Sequence, residues 1–299
     1  MTLDGQVVSP THSPTDARRG PAAVLAALQR AIARLAAELD DLRAIGVACA
    51  GQIHPQTGTV VYAPNLDWRD VPLGATLRQA FPFPVTVEND VRAAAWGEYR
   101  FGAGRDARSM LAVFVGTGVG SGAVLDGMLW RGASNVAGEI GHTQVVPDGL
   151  PCPCGQRGCL EQYASGSGFQ RRLAEALRRG ARSRLADLAG GAADRLTAPM
   201  VAAAAEDGDD LARDLWADAI RYLAMALANS VTLLNPQALI LGGGVIESAP
   251  ALYGAVAPAV RDLTTLLARG ELRIDRARLG DWSGTIGVAD LARPREVPA

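Results

Sequence analysis

The chain has 299 residues, 48% of them hydrophobic and 20% charged, and its formal net charge is −2. The length suits two packed domains, the composition excludes a disordered chain, and the charge argues against a general nucleic-acid surface. All 29 basic residues are arginines, which excludes a P-loop lysine and a Schiff-base lysine. No apolar run reaches transmembrane length and the first residues lack a signal-peptide core, so we expect a cytoplasmic protein.

Strand-like and helix-like segments alternate along the chain, which indicates the α/β class. A domain boundary is predicted near Ala107, where the loop GAGRDARS separates the end of a helix from the next strand. The predicted elements, in chain order, are a helix over 21–42, strands over 44–51 and 58–62, a helix over 73–81, a strand over 85–90, a helix that includes 93–99, two strands joined by a glycine turn over 110–130, a loop over 151–158, mainly helix over 169–227, a strand running into a glycine turn over 237–246, a strand over 272–279 and a helix over 286–293.

The segment GHTQVVPDGLPCPCGQRGC contains three of the four cysteines, and these three span only eight residues. His142, Cys152, Cys154 and Cys159 form a Cys3His set, the kind of closed ligand set that holds structural zinc. Disulfides are rare in the cytoplasm, so the cluster favours a metal. The alternative interpretation is three free or buried thiols beside an unrelated histidine. His142 has a second ring nitrogen that can face a substrate, and Glu161 follows Cys159 by two residues.

Glycines alternate in the segment FVGTGVGSGAV, which contains Gly116, Thr117 and Gly118. Glycine lets a backbone approach phosphate oxygens closely and present N–H groups to them. A dinucleotide-binding fingerprint needs a helix after its glycines, but the strand-like AVLDG follows here, which disfavours a Rossmann site. The alternative is an ordinary glycine-rich hairpin. A second run, 242–244, follows the apolar strand QALI and is a candidate for packing against a nucleotide.

Two short segments that contain a carboxylate are candidates for catalysis or binding. Asn89 and Asp90 end the strand VTVE, and strand ends line the crevice of an open α/β sheet, so Asp90 is a candidate proton acceptor for a hydroxyl. Its alternative role is to cap the following helix. Glu139 precedes His142 by three residues, and both side chains share a face if this segment forms one helical turn. The alternative for Glu139 is a solvated surface charge.

Taken together, several segments resemble the ROK family of bacterial sugar kinases, open reading frames and repressors. They are GVACAGQIHPQTGTVVYAPNLDW, VENDVRAAAWGE, VGTGVGSGAVLDGMLWRG, AGEIGHTQVVPDG, CPCGQRGCLEQYASG and LILGGGV, and they cover nearly the whole chain. The resemblance implies a two-lobed, actin-like (ribonuclease-H-like) sugar-kinase fold with a cleft between the lobes and a structural zinc loop. It places residues 1–107 and 284–299 in a small lobe, and residues 108–283 in a large lobe with the zinc loop and a dimer surface.

The resemblance also implies roles for individual residues. Asp90 is expected to be the catalytic base, and the sugar is expected to contact Gly51, Asn89, Asp90, Glu139, His142 and Glu161. ATP, accompanied by Mg²⁺, is expected to meet Gly116, Thr117 and Gly118 through its phosphates, and Gly242, Gly243 and Gly244 through its adenosine. Zinc is expected to organise the loop that carries His142 and Glu161, and a homodimer is common in the family.

The sequence departs from this family at its start. Kinases of the family begin with an Asp-x-Gly-Gly-Thr phosphate hairpin, which is absent from this sequence, and LDGQVV resembles the strand that should follow the hairpin. Roughly fifteen to twenty residues are therefore expected to be missing. One explanation is a misassigned start codon or a truncation. The other is a sugar-binding protein that has lost kinase activity. We expect such a chain to transfer phosphate poorly and to expose unpaired sheet edges.

Three functions are compatible with the sequence. The first is an ATP-dependent hexose kinase, with glucose as the first expected substrate and N-acetylmannosamine or N-acetylglucosamine as alternatives. The second is a sugar-responsive regulator, although a helix-turn-helix domain is not recognisable and the chain is not basic. The third is a sugar-binding protein with neither activity. The GTGVGSG turn and the Asn89-Asp90 pair favour the kinase.

Overall fold

The computed structural model describes residues 1–39 and 41–294. The chain forms two compact units. The first comprises Met1–Asp106, Gly122–Gly138 and Arg278–Ala299, and the second comprises Ala107–Ser121 and Glu139–Ala277. Among the described residues, we find no helix with the length and apolar character needed to cross a membrane.

Strands and helices alternate through both units, which confirms the α/β class. The strands of the described residues are β1 (Ile45–Cys49), β2 (Gln52–Ile53), β3 (Val60–Ala63), β4 (Trp68–Val71), β5 (Val85–Asn89), β6 (Met110–Val115), β7 (Val119–Leu125), β8 (Met128–Trp130), β9 (Ala238–Gly242) and β10 (Arg273–Arg276).

The described residues also form twelve α-helices. In chain order they are α1 (Gly20–Glu38), α2 (Leu73–Ala80), α3 (Asp90–Phe101), α4 (Glu161–Ala164), α5 (Gly166–Arg178), α6 (Arg184–Leu188), α7 (Ala198–Glu206), α8 (Asp210–Leu234), α9 (Gly244–Ser248), α10 (Pro250–Leu263), α11 (Leu266–Glu271) and α12 (Ser283–Ala292).

In the first unit, β1 and β5 pair in parallel and β2, β3 and β4 form an antiparallel sheet. The register pairs Cys49 with Asn89, so both strands end at the same edge. Helix α3, which follows β5, packs closely on α12 through glycine. A Cβ at Gly287 would lie 1.7 Å from the carbonyl oxygen of Ala93, a distance that only glycine permits. This contact holds α3 directly against α12.

In the second unit, β6, β9 and β10 pair in parallel, with β9 in the centre. Every residue of β9 is buried, as expected for a parallel strand covered on both faces. Helices α7 and α10 pack on the long helix α8. Strand β7 begins in this unit, and its later half pairs antiparallel with β8 in the first unit.

The observed units divide the chain differently from the predicted lobes at two places. Residues 122–138 belong to the first unit, where Arg131 pairs with Glu88 and Asn135 donates to the carbonyl of Ile53. The return to the first unit occurs at Arg278, before the predicted residue 284. Its amide donates to the fully buried carboxylate of Glu98, which fixes this segment.

The structure corrects the prediction for the N-terminal segment LDGQVV, which is not a strand. Its hydrogen bonds close a local turn instead. The amide of Thr2 donates to the carbonyl of Gln6 at 2.9 Å, and the amide of Gln6 donates to Thr2 Oγ1 at 3.0 Å. Gly5, with φ of 90°, lies against the ring of Phe101. A turn that satisfies its own backbone groups leaves no ladder for a neighbouring strand.

Candidate active site and metal centre

Asn89 and Asp90 lie at the junction between β5 and α3. The Asn89 side chain accepts a hydrogen bond from the amide of Arg92 at 3.0 Å, so Asn89 is the N-cap of α3. Its Nδ2 donates to the carbonyl of Gly51 at 3.2 Å. The structure therefore brings the predicted residues Gly51 and Asn89 together. Because Asn89 caps the helix, the capping role considered for Asp90 is taken by its neighbour.

Asp90 has the environment of a basic carboxylate. Its Oδ1 accepts a hydrogen bond from the amide of Val91 at 2.9 Å. Burial raises the pKa of Asp90, and the backbone amides and the Arg92 charge offset this effect only in part. The adjacent Cys49 is buried, and its pKa is raised to about 12 by burial and by the Asp90 charge. A carboxylate with a raised pKa accepts a proton more readily than an exposed one.

The predicted metal ligands lie together in the second unit. The donor atoms of His142, Cys152, Cys154 and Cys159 all fall within 4.8 Å of one another. Cys154 Sγ lies 3.7 Å from Cys159 Sγ, and Cys152 Sγ lies 3.8 Å from His142 Nδ1. Ligands of tetrahedral zinc are separated by about 3.5–3.8 Å, so these donors fit that ion. His142 faces the cysteines through Nδ1, so Nε2 is the ring nitrogen that is not directed at the cluster.

A buried amide supports the Cys3His cluster. Gln162 is 2% exposed, and its Nε2 donates to Cys152 Sγ at 3.3 Å. Its Oε1 accepts from Arg171 Nε at 2.9 Å, so the amide is held on both sides. Burial raises the pKa of the Cys159 thiol to about 12. A nearby cation would favour the ionised form of this buried thiol, as in a closed metal site.

Glu139 and His142 share one turn of 3₁₀ helix. The turn spans Ile140–His142, and the amide of His142 donates to the carbonyl of Glu139 at 3.0 Å. Side chains three residues apart on such a turn point the same way, as predicted for one helical turn. Glu139 is exposed and His142 is half-buried.

Glu161 is linked to the first glycine turn. It begins α4, and its Oε2 accepts a hydrogen bond from the amide of Val119 at 3.1 Å. The same oxygen lies 2.4 Å from the position that a Cβ on Gly118 would occupy. Two further backbone bonds, from the amides of Gly166 and Ser167 to the carbonyls of Gly116 and Thr117, attach the turn to the start of α5.

The two glycine turns lie next to each other. Gly243, with φ of 91°, has its Cα against the backbone of Val115, the residue before the first turn. A Cβ at this position would lie 2.5 Å from the carbonyl oxygen of Val115. Gly116 and Gly244 differ, because among the described residues a Cβ on either would meet no atom within 4 Å apart from its own neighbours in the chain. The space beside these two glycines is open to a ligand.

Sequence reasoning missed a buried ionic group directly before Asn89. Glu88 and Arg92 are 3% and 2% exposed and pair at 2.8 Å, and Arg131 Nε binds the other oxygen of Glu88 at 2.7 Å. A signal for the first pair exists in VENDVR, since the two residues have the i,i+4 spacing of helical ion pairs. The second pair spans 43 positions and has no local signal.

The protein is thus an α/β protein of two units, with an acidic strand end in the first unit and a glycine turn and a Cys3His cluster in the second. The two α/β units and the Cys3His set agree with the sugar-kinase fold and the zinc loop that the resemblance to the ROK family implied.

The chain belongs to the ROK family, whose profile matches residues 1–295. It is 36% identical over 299 residues to a glucokinase of Streptomyces coelicolor, covering 97% of this chain and 92% of that one. A crystal structure of a ROK family glucokinase from Streptomyces griseus, in complex with glucose and AMPPNP, superposes with a TM-score of 0.80 at 36% identity, covering 98% and 94% of the two chains. The DNA-binding transcriptional dual regulator NagC of Escherichia coli is 30% identical over 294 residues, which are 97% of this chain and 71% of that one.

Proposed function

We propose that this chain is an ATP-dependent hexose kinase, with glucose as its first substrate and Asp90 as its catalytic base. The observation that carries the proposal is the arrangement at the end of β5. Asn89 caps α3 and binds Gly51, while Asp90 is left as a buried carboxylate with a raised pKa. The glucokinase names of the Streptomyces relatives support the choice of reaction and sugar.

In the proposed reaction, Asp90 accepts the proton of a sugar hydroxyl as the sugar oxygen attacks the γ-phosphorus of ATP. The bond between that phosphorus and the bridging oxygen breaks, and ADP leaves with the electron pair. The hydrogen bond from the Val91 amide holds one oxygen of Asp90, so the other oxygen is the acceptor. Phosphoryl transfer depends mainly on positioning, and the capped junction supplies it for this carboxylate.

The second unit is proposed to contribute its own contacts to a sugar and to ATP. Glu139, His142 and Glu161 offer carboxylates and an imidazole nitrogen, groups that hydrogen-bond sugar hydroxyls. Gly116, Thr117 and Gly118 are proposed to hold the ATP phosphates, because open space next to Gly116 admits a close approach of the backbone. The run 242–244 is proposed to lie at the adenosine, with Mg²⁺ accompanying the phosphates.

The Cys3His cluster is proposed to hold one structural zinc ion. Its four donors are closed, with no position left for substrate, so the metal stabilises the loop. His142 and Glu161 flank this loop in the sequence, and their orientation would depend on it. An intracellular location belongs to the same proposal, because ATP and reduced thiols are found there. A homodimer stays a prediction that light scattering would test.

The test is ADP formation that depends on added sugar, measured with purified chain across hexoses and N-acetylhexosamines. We expect turnover with glucose, and a loss of at least about hundredfold in kcat for Asp90→Asn. Asparagine keeps the acceptor oxygen for the Val91 amide and removes the buried charge, so the variant should fold. Asp214→Asn, the same change at an exposed residue of α8, is the matched control. Equal turnover by Asp90→Asn and wild type would contradict the role of Asp90.

A sugar-responsive regulator is the second candidate, favoured by the match to NagC over 97% of this chain. The same experiment separates the two. A regulator would bind the sugar in a calorimeter and form no ADP with any sugar of the panel. The capped Asn89-Asp90 junction and the glycine turn favour the kinase, since a sensor has no need of a basic carboxylate.

A further inference from the structure

The strand that ends in Asn89 and Asp90 is held by a buried ionic network. Glu88 Oε1 accepts from Arg92 Nε at 3.0 Å and from Arg92 Nη2 at 2.8 Å. The same oxygen accepts from the backbone amide of Asn89 at 2.9 Å. Glu88 Oε2 accepts from Arg131 Nε at 2.7 Å. One carboxylate therefore binds two guanidinium groups and the amide next to Asp90.

The network also anchors the segment 131–138. Besides the Arg131 contact, Arg92 Nη1 approaches the carbonyl of Ala137 at 3.4 Å, and Asn135 Nδ2 donates to the carbonyl of Ile53 at 2.6 Å. These contacts fasten both ends and the middle of the segment to the first unit. In the sequence the segment ends immediately before Glu139. A single group of charges thus fixes the residue before Asn89 and the residues that lead to Glu139.

Charge-assisted hydrogen bonds of this length are strong, and burial removes competing water. The start of α3 does not need the charge of Glu88, because Asn89 already caps this helix. Two buried charges are costly to desolvate, so a pair of apolar residues would serve stability equally well. The network is better explained by the orientation that it gives to the strand end.

We propose that Arg131, acting through Glu88, is a positioning residue for Asp90. It holds the carboxylate that fixes the Asn89 amide, and it keeps the end of β5 in one orientation. This inference rests on the proposed kinase function for its consequence in catalysis, but the contact itself has a readout that needs no activity.

Arg131 is the best residue to change. Its side chain is 41% exposed, whereas Arg92 and Glu88 are buried, and truncation of either would leave a charge uncompensated in the interior. Arg131→Met keeps the aliphatic stem and leaves the Arg92–Glu88 pair in place, so the variant should fold. Arg131→Lys restores a cation near Glu88. Arg34→Met is the matched control, since Arg34 pairs with Glu38 at 3.3 Å on the exposed surface of α1.

The experiment measures kcat and both KM values for the three variants, together with hydrogen exchange of the peptide that contains Asn89. For Arg131→Met we expect a loss of about tenfold or more in kcat, an unchanged KM for ATP, and faster exchange of the Asn89 amide. Arg131→Lys should recover most of the kcat, and Arg34→Met should match wild type in every readout.

Three outcomes would overturn the proposal. Wild-type kcat in Arg131→Met, with only a lower melting temperature, would show a structural role alone. An Asn89 amide that exchanges at the wild-type rate would show that Arg131 does not hold this strand end. Equal losses in Arg131→Met and Arg131→Lys would show that the cation is not what matters. If wild type forms no ADP, the proposed function fails, and the hydrogen-exchange comparison still decides the contact.

Discussion

Gly118→Ala tests the link between the glycine turn and Glu161. The new Cβ would lie 2.4 Å from Glu161 Oε2, and real Cβ atoms are essentially never closer than 3.0 Å to a neighbour. The carboxylate must therefore move by about 0.6 Å, the difference between these distances. Movement away from Gly118 lengthens the 3.1 Å bond from the Val119 amide and so weakens it.

A hydrogen bond to a charged group contributes about 1.5–3 kcal/mol. If Glu161 binds the sugar from its present position, its displacement should raise the Kd for glucose by about ten- to hundredfold. Isothermal titration calorimetry with glucose measures this directly. The KM for ATP should change much less, because the added methyl group points at Glu161.

Gly116→Ala is the control within the same turn. In the described part of the chain, a Cβ at Gly116 meets no atom within 4 Å beyond the adjacent residues, so the fold and Glu161 should be undisturbed. If ATP phosphates approach the backbone here, the methyl group should raise the KM for ATP and leave glucose binding unchanged. The reasoning is refuted if Gly118→Ala binds glucose as tightly as wild type, or if both variants lose ATP and glucose affinity equally.

Three further predictions concern protons, metal and stability. Because the base must be ionised and the pKa of Asp90 is raised, kcat should fall on the acid side at a higher pH than an exposed aspartate would give, and a pH–rate profile checks this. Cys159→Ser should lower zinc affinity by more than about hundredfold and reduce the zinc content measured by elemental analysis, whereas Cys49→Ser should retain the metal. Glu98→Gln should lower the free energy of unfolding by about 1–3 kcal/mol, seen as a lower Tm than that of the exposed control Glu206→Gln. The reason is that an amide offers one acceptor oxygen, whereas the two oxygens of the buried Glu98 accept from three backbone amides.

The local features of this protein were predictable from its sequence. The metal ligands lie on one short loop, where prolines and glycines limit the backbone to tight turns, so their meeting depends on few contacts. The Glu139–His142 turn is equally local. The alternation of apolar strands and amphipathic helices likewise gave the α/β class and many of the element positions. The exceptions include the short strands β2, β4 and β8 and the helices α10 and α11, which were not predicted as separate elements.

Contacts between distant segments were not predictable in this way. The choice of Asn89 over Asp90 as the helix cap depends on which side chain the backbone turns toward the Arg92 amide. Both residue types cap helices well, so propensity cannot decide between them. The link from Glu161 to the glycine turn spans 42 positions, and its only sequence trace is the requirement for glycine at position 118.

The N-terminal segment is a case in which local composition predicted a strand that the structure does not contain. LDGQVV has a strand-like composition, yet a strand needs a partner ladder, and here Thr2 satisfies the backbone of Gln6 within a turn. Propensity for β structure reflects packing against neighbours more than an intrinsic backbone preference. Arg131 and Glu88 are both visible in the sequence, but only the tertiary structure shows that they pair with each other. The residues most informative about mechanism are therefore those whose partners lie far away in the chain.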